Sequence, residues 1–123
     1  MSVAILRHGD HLIASILTDL SDSEVVTLRD ELAEQVGRQR VRGLIIDVSA
    51  LDVIDSFMAR SLRAIAVTAG LRGVRTVVAG IQPEAAIAMV HFRLDLAPLQ
   101  AGLDVDEAIA VLGAKDGADG DGR

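Results

Sequence analysis

The chain has 123 residues, a length that suits one domain, and twelve basic against eighteen acidic side chains leave it a net charge of −6. That balance excludes a general affinity for nucleic acid, which needs a basic stripe, and the absence of cysteine excludes disulfides, thiolate metal sites and thiol nucleophiles. Half of the residues are hydrophobic, yet Trp and Tyr are missing and Phe occurs only at Phe57 and Phe92, so the core must be aliphatic. Residues 1–20 lack the basic start and unbroken apolar run of a secretion signal, and no apolar run reaches the ~18 residues that span a bilayer. A cytoplasmic protein without membrane contact is expected.

Val3 to Leu6 and Leu12 to Leu17 are apolar runs around Arg7-His8-Gly9-Asp10-His11, and Gly-Asp between short β-prone runs predicts a hairpin. His8 and His11 flank that turn with no further ligands nearby, so they read as solvated turn residues. Ser21 and Glu24 have the spacing of a capping box, and Val25, Leu28, Leu32 and Val36 then recur on one face of a helix to about Arg38. Arg38, Arg40 and Arg42, the nearest thing to a basic stripe, fall where that helix ends and complement its dipole. Gly43 releases the chain into Leu44–Val48, apolar enough for a strand buried on both faces.

An acidic loop, 49–55, leads to a second helix opening at Asp55-Ser56, with Met58, Leu62, Ile65 and Ala69 as its core stripe and Gly70 and Gly73 at its end. Val74–Ala79 is the next strand, and Pro83 suits the first position of a third helix that holds Ala86, Ile87 and Val90, carries His91 at its surface, and runs to about Arg93. Pro98-Leu99-Gln100 predicts a short edge strand. Asp104 and Glu107 then open a last helix that packs through Val105, Ala108, Ile109 and Leu112. The expected fold class is α/β, one domain over 1–112 with a mixed, mostly parallel sheet of about five strands and about four helices. The Gly/Asp-rich tail 113–123 has too little apolar surface to offset its ordering and is expected to be disordered.

Sites in such sheets favour loops at the carboxyl ends of strands, which selects Ser49–Ser56 and Gly80–Pro83. No phosphate loop, GxGxxG, HExxH or GxSxG is present. Asp47, Asp52 and Asp55 have the oxygen chemistry to hold Mg²⁺ for a small hydrolase, but no substrate pocket is legible and a solvated acidic loop is the reading taken. Spacing leaves two readings of Ser56 open. It is either a cap or first-turn residue that satisfies an orphan helix N–H, or a phosphoacceptor. A phosphate there would add about −1.5 to −2 charges, which a helix N-terminus tolerates. Arg60, four residues on, would pair with it, while Asp52 and Asp55 would repel it. Phe57 is either an apolar anchor for a docked partner or a contact beneath the loop. Asp52, Asp55, Phe57 and Arg60 are thus the candidate partner-binding residues, with Ser56 as the modified one.

IIDVSALDVIDSFMAR (45–60) and VVAGIQPEAAI (77–87) resemble the STAS family and, within it, the RsbS-like stressosome antagonists. Asp-Ser followed by Phe-Met-Ala-Arg, and the Gly-Ile-Gln-Pro turn, carry that likeness, which runs from Ser2 to about Leu112. Phe57-Met58 departs from the Asp-Ser-Ser-Gly helix start of the family's anti-anti-sigma factors. The resemblance implies a STAS-type domain with no enzymatic activity, cofactor or metal. It implies a scaffold that sequesters an RsbT-type serine kinase together with RsbR-type STAS paralogues, as a homo-oligomer or a large hetero-assembly. Phosphorylation of the serine matching Ser56 would release the kinase, and an RsbX-type phosphatase would reset the switch. The alternative within the family is an anti-anti-sigma factor that switches a sigma-binding kinase through the same serine. RsbR-type paralogues carry an N-terminal sensor domain, which a chain opening on the hairpin is expected to lack. They also carry a phosphoacceptor threonine where this sequence has Ala79, so no second phosphorylation is expected there.

Overall fold

The computed structural model describes the backbone of residues 2–120 and the side chains of residues 2–113. Val3–His8 (β1) and His11–Ile16 (β2) pair antiparallel around Gly9-Asp10, and Gly9 at φ 59° takes the left-handed conformation that such short turns favour. Gly43–Asp47 (β3), Arg75–Ala79 (β4) and Gln100–Gly102 (β5) then add in parallel, giving the order β1-β2-β3-β4-β5. The connections between parallel strands are the helices Asp22–Arg38 (α1), Ser56–Gly70 (α2) and Pro83–His91 (α3). Right-handed crossovers in a strand order that never reverses must all lie on one face of the sheet.

The packing follows that rule. Val25, Leu28, Leu32 and Val36 of α1 meet Met58, Leu62, Ile65 and Ala69 of α2 over Leu12, Ile16, Leu44, Ile46 and Val78, and Ala85 and Met89 of α3 extend the layer. The alternate strand residues, Ile13, Ile45, Val77 and Ala79, face the other way and are covered by Ala108 and Leu112 of Val105–Gly120 (α4). β3 is therefore buried on both sides, which is why its sequence is a continuous apolar run rather than an alternating one.

The ends of the elements have local causes. The Ser21 hydroxyl accepts from Glu24 N at 3.2 Å while the Glu24 carboxylate accepts from Ser21 N at 2.9 Å. The bond from the Ser21 backbone, then those from the Ser21 and Ser2 hydroxyls, hold the Glu24 carboxyl below its ordinary pKa. A depressed carboxyl stabilises the fold above its unfolded pKa, and this contribution is lost as pH falls through the folded one. Of the three arginines expected to close α1, only Arg38 lies in its last turn, paired with Glu34 at 3.4 Å; Arg40 and Arg42 lie beyond it, on the approach to β3.

α3 stops at His91, short of Arg93, because Arg93 turns left-handed at φ 56°. Its N–H bonds Val90 O and Leu94 N–H bonds Met89 O, a Schellman closure made without glycine. Ala85 and Met89 are the buried side of this helix, while Ile87 and Val90 are exposed. The last strand lies two residues beyond the expected Pro98–Gln100, since Pro98 has no N–H for the ladder and falls in a turn instead. α4 opens on Asp104, whose carboxylate accepts from Glu107 N at 2.8 Å. Its backbone stays helical to Gly120 through much of the tail expected to be disordered from Gly113. Composition underweights propagation: once a helix is nucleated and packed, each added residue gains a hydrogen bond without a new nucleation cost. Residues 121–123 of that tail lie outside the described residues.

Candidate functional site

Both loops selected at the carboxyl ends of the strands are built, and they are tied together. Val48 N–H bonds Ala79 O at 2.9 Å, Gly80 N–H bonds Gly102 O at 3.0 Å, and the Gln82 amide donates to Ser49 O at 2.6 Å. Asp47 spends its Oδ1 on Ser49 N at 2.9 Å, closing the turn that follows β3. Gly80 sits at φ 80°, and a Cβ built there would lie 2.8 Å from the Ser49 Cβ. The two loops approach this closely because position 80 has no side chain.

The loop after β3 is pinned from below. Leu51 and Ile54 are buried in the helical layer, which lifts Asp52 and Val53 outward, and Val53 is 66% exposed. Asp55 follows in extended conformation, and its Oδ1 accepts from Met58 N at 2.8 Å. Asp55 is therefore the N-cap of α2, and Ser56 is the first helical residue. Ser56 is exposed, and among the described residues no side-chain hydrogen bond engages its hydroxyl. The capping reading of Ser56 fails because its neighbour holds the cap. Asp55→Ala is accordingly expected to cost about 1 kcal/mol in urea unfolding, with Ser56→Ala within about 0.5 kcal/mol of the parent. The reverse ranking would return the cap to Ser56.

The other candidates divide. Asp52 and Arg60 are exposed, and Arg60 has no ion-pair partner among the described residues. Its spacing from Ser56 places both on one side of α2. Phe57 is half-buried, packed against the core in a cleft of about 150 Å³ with Leu20, Val25, Leu51 and Met58. It packs as a contact beneath the loop and keeps part of its ring at the surface. The exposed apolar residue of the site is Val53, which the sequence reading passed over because a valine in an acidic loop carries no periodic signal. Asp19, in the segment before α1, and Asp22, its first residue, line the same cleft as Asp55 and make this end of the molecule more acidic than the loop alone suggests.

Asp47, Asp52 and Asp55 are not gathered. Among the described residues no three His, Asp or Glu side chains form a metal-ligand set. A strand order without reversal offers no switch-point crevice; an open apolar groove of about 420 Å³ runs from Ile81 along α3 to Leu103, while the clefts that Asp55 and Ser49 line measure only about 150 and 280 Å³. Those two clefts are below the ~300–1,000 Å³ of ordinary small-molecule sites. Among the described residues no helix is long and apolar enough to cross a membrane. What the site presents is a free hydroxyl at a helix start, next to the capping carboxylate of Asp55, on a surface rather than in a pocket.

The STAS domain family matches residues 2–108. The chain belongs to the STAS family. A serine-to-glutamate variant of RsbS from Moorella thermoacetica superposes on this STAS domain with a TM-score of 0.81 at 31% identity, over 94% of this chain and 98% of that one. A chain from the molecular architecture of the stressosome, a signal integration and transduction hub, gives 0.74 at 29% identity, over 92% and 98%. The RsbT co-antagonist protein RsbRD of Bacillus subtilis is 23% identical over 84% of this chain, which spans 37% of that relative's length. The likeness to RsbS and the stressosome proteins read from residues 45–60 and 77–87 is thus borne out, as is the STAS-type α/β fold of five strands and four helices.

Proposed function

We propose that this STAS domain is a non-enzymatic stressosome scaffold and antagonist that holds an RsbT-type serine kinase and lets it go when Ser56 is phosphorylated. The observation that carries this reading is the exposed, uncommitted hydroxyl of Ser56 at the first position of α2, with capping done by Asp55. Such a serine can enter another protein's active site without breaking a bond of its own fold. The likeness to RsbS and to a co-antagonist of RsbT supports the choice of kinase.

The release follows from charge. A phosphate adds about −1.5 to −2 charges next to Asp55, at an end of the molecule where Asp19 and Asp22 line the same cleft as Asp55. Arg60 and the N-terminus of α2 offset part of that charge within the domain, so the fold survives. A partner seated over Asp52, Val53, Asp55, Ser56 and Arg60, with Phe57 packed beneath, meets a sharply more negative surface instead. RsbR-type paralogues complete the assembly, an RsbX-type phosphatase resets it, and neither metal nor cofactor takes part. Ser56→Asp is expected to reduce kinase co-elution in size-exclusion chromatography by about tenfold while leaving the urea midpoint unchanged. Equal retention by the parent and by Ser56→Asp would remove the release step from the account.

A further inference from the structure

The two edges of the sheet are treated differently. β5 is three residues long and follows a proline, which leaves little edge for a foreign strand. β1 is six residues long, VAILRH, with no proline and no lysine, and nothing in the described residues covers its outer side. Leu17 N–H bonds Ser2 O at 2.8 Å, so the pairs bonded to β2 fall at Ser2, Ala4, Leu6 and His8. The backbone N–H and C=O groups of Val3 and Ile5 therefore point away from β2. Beside them runs an open groove of about 590 Å³ between β1 and α1. Val3, Ile5, Leu20 and Leu28 give it an apolar floor, and Glu24 and Glu31 line its α1 side with no cationic residue among the lining.

We propose that the free edge of β1 is a strand-addition site for an extended, basic segment of a partner protein. The incoming strand would pair with the outward backbone groups of Val3 and Ile5. Every second side chain would fall over the groove, where apolar residues meet Leu20 and Leu28 and lysine or arginine meets Glu24 and Glu31. Charge selects this occupant over two others. Edge-to-edge pairing of two copies would set both copies' Glu24 and Glu31 along one shared groove, like against like. The chain's own last residues, AKDGADGDGR, carry more acids than bases and no β-branched side chain. The site lies on the flank of the molecule and does not depend on the reading of Ser56.

The test is fluorescence anisotropy on the full chain with a labelled peptide of alternating valine and threonine flanked by lysines, against the same peptide flanked by glutamates. Saturable binding of the lysine peptide is expected, with the glutamate peptide weaker by about tenfold or more. Val3→Pro removes an outward N–H at the first strand position, where proline is tolerated, and should weaken the lysine peptide by a similar factor. Glu31→Lys alters only an exposed side chain and should do the same, which keeps the test decisive even if Val3→Pro unfolds. No binding, equal binding of both peptides, or unaltered affinity in Glu31→Lys overturns the proposal. So does a concentration-dependent dimer in sedimentation that Val3→Pro dissolves, because the edge would then belong to a second copy.

Discussion

Ser56→Ala is expected to abolish the gain of one phosphate when the chain is incubated with ATP and an RsbT-type kinase, read by intact-protein mass spectrometry. The expectation rests on geometry as much as on likeness. Ser61 is buried in α2, and the Ser49 region is bound into the junction between the two loops, its N–H on Asp47 and its carbonyl on Gln82. Ser56 combines exposure, a hydroxyl without a partner, and a helix start that tolerates the added charge. The substitution removes one oxygen from an exposed position whose cap is supplied by Asp55, so the loss cannot be ascribed to unfolding. Retained mass gain in Ser56→Ala would move the phosphate to another hydroxyl and take the assignment with it.

Gly80→Ala is expected to destabilise the domain by about 2–4 kcal/mol in urea unfolding. Two penalties act together. A left-handed φ of 80° costs a Cβ-bearing residue about 1–2 kcal/mol, and the new Cβ would meet the Ser49 Cβ at 2.8 Å and Asp47 Oδ1 at 3.3 Å. Gly73→Ala separates the two, since Gly73 is also left-handed, at 77°, but has nothing within 4 Å of an added Cβ. It should lose only the conformational share, about 1–2 kcal/mol. Equal losses at the two glycines would show that the close approach between the loops contributes nothing. Relief of the clash in Gly80→Ala moves the Ser49 loop, so kinase retention should fall along with stability.

The sequence was most legible where one local force decides. The Val25, Leu28, Leu32 and Val36 stripe, the Ser21 capping box and the hairpin at Gly9-Asp10 each rest on spacing that only one structure satisfies. Tertiary context decided the rest. Nothing local distinguishes Arg93 as a left-handed helix stop, because that conformation usually belongs to glycine and is held here by bonds to Val90 and Met89. The exposure of Val53 and the packing of Phe57 have a similar cause. Which of two apolar residues flanking Asp55 turns inward depends on Leu51 and Ile54 being drawn into the helical layer. Asp55-Ser56 offered two adjacent residues with cap chemistry, and only the backbone shows that aspartate takes the cap and leaves the serine free.

The central claim is that phosphorylation of Ser56 and departure of the kinase are one event. The most direct measurement is a time course on the assembled complex after ATP is added, with phosphate at Ser56 followed by peptide mass spectrometry and bound kinase by size-exclusion chromatography. The account predicts that the two curves coincide, and that the Ser56→Ala complex keeps its kinase throughout. Kinase leaving the Ser56→Ala complex at the parental rate, or remaining on chains fully phosphorylated at Ser56, would contradict it.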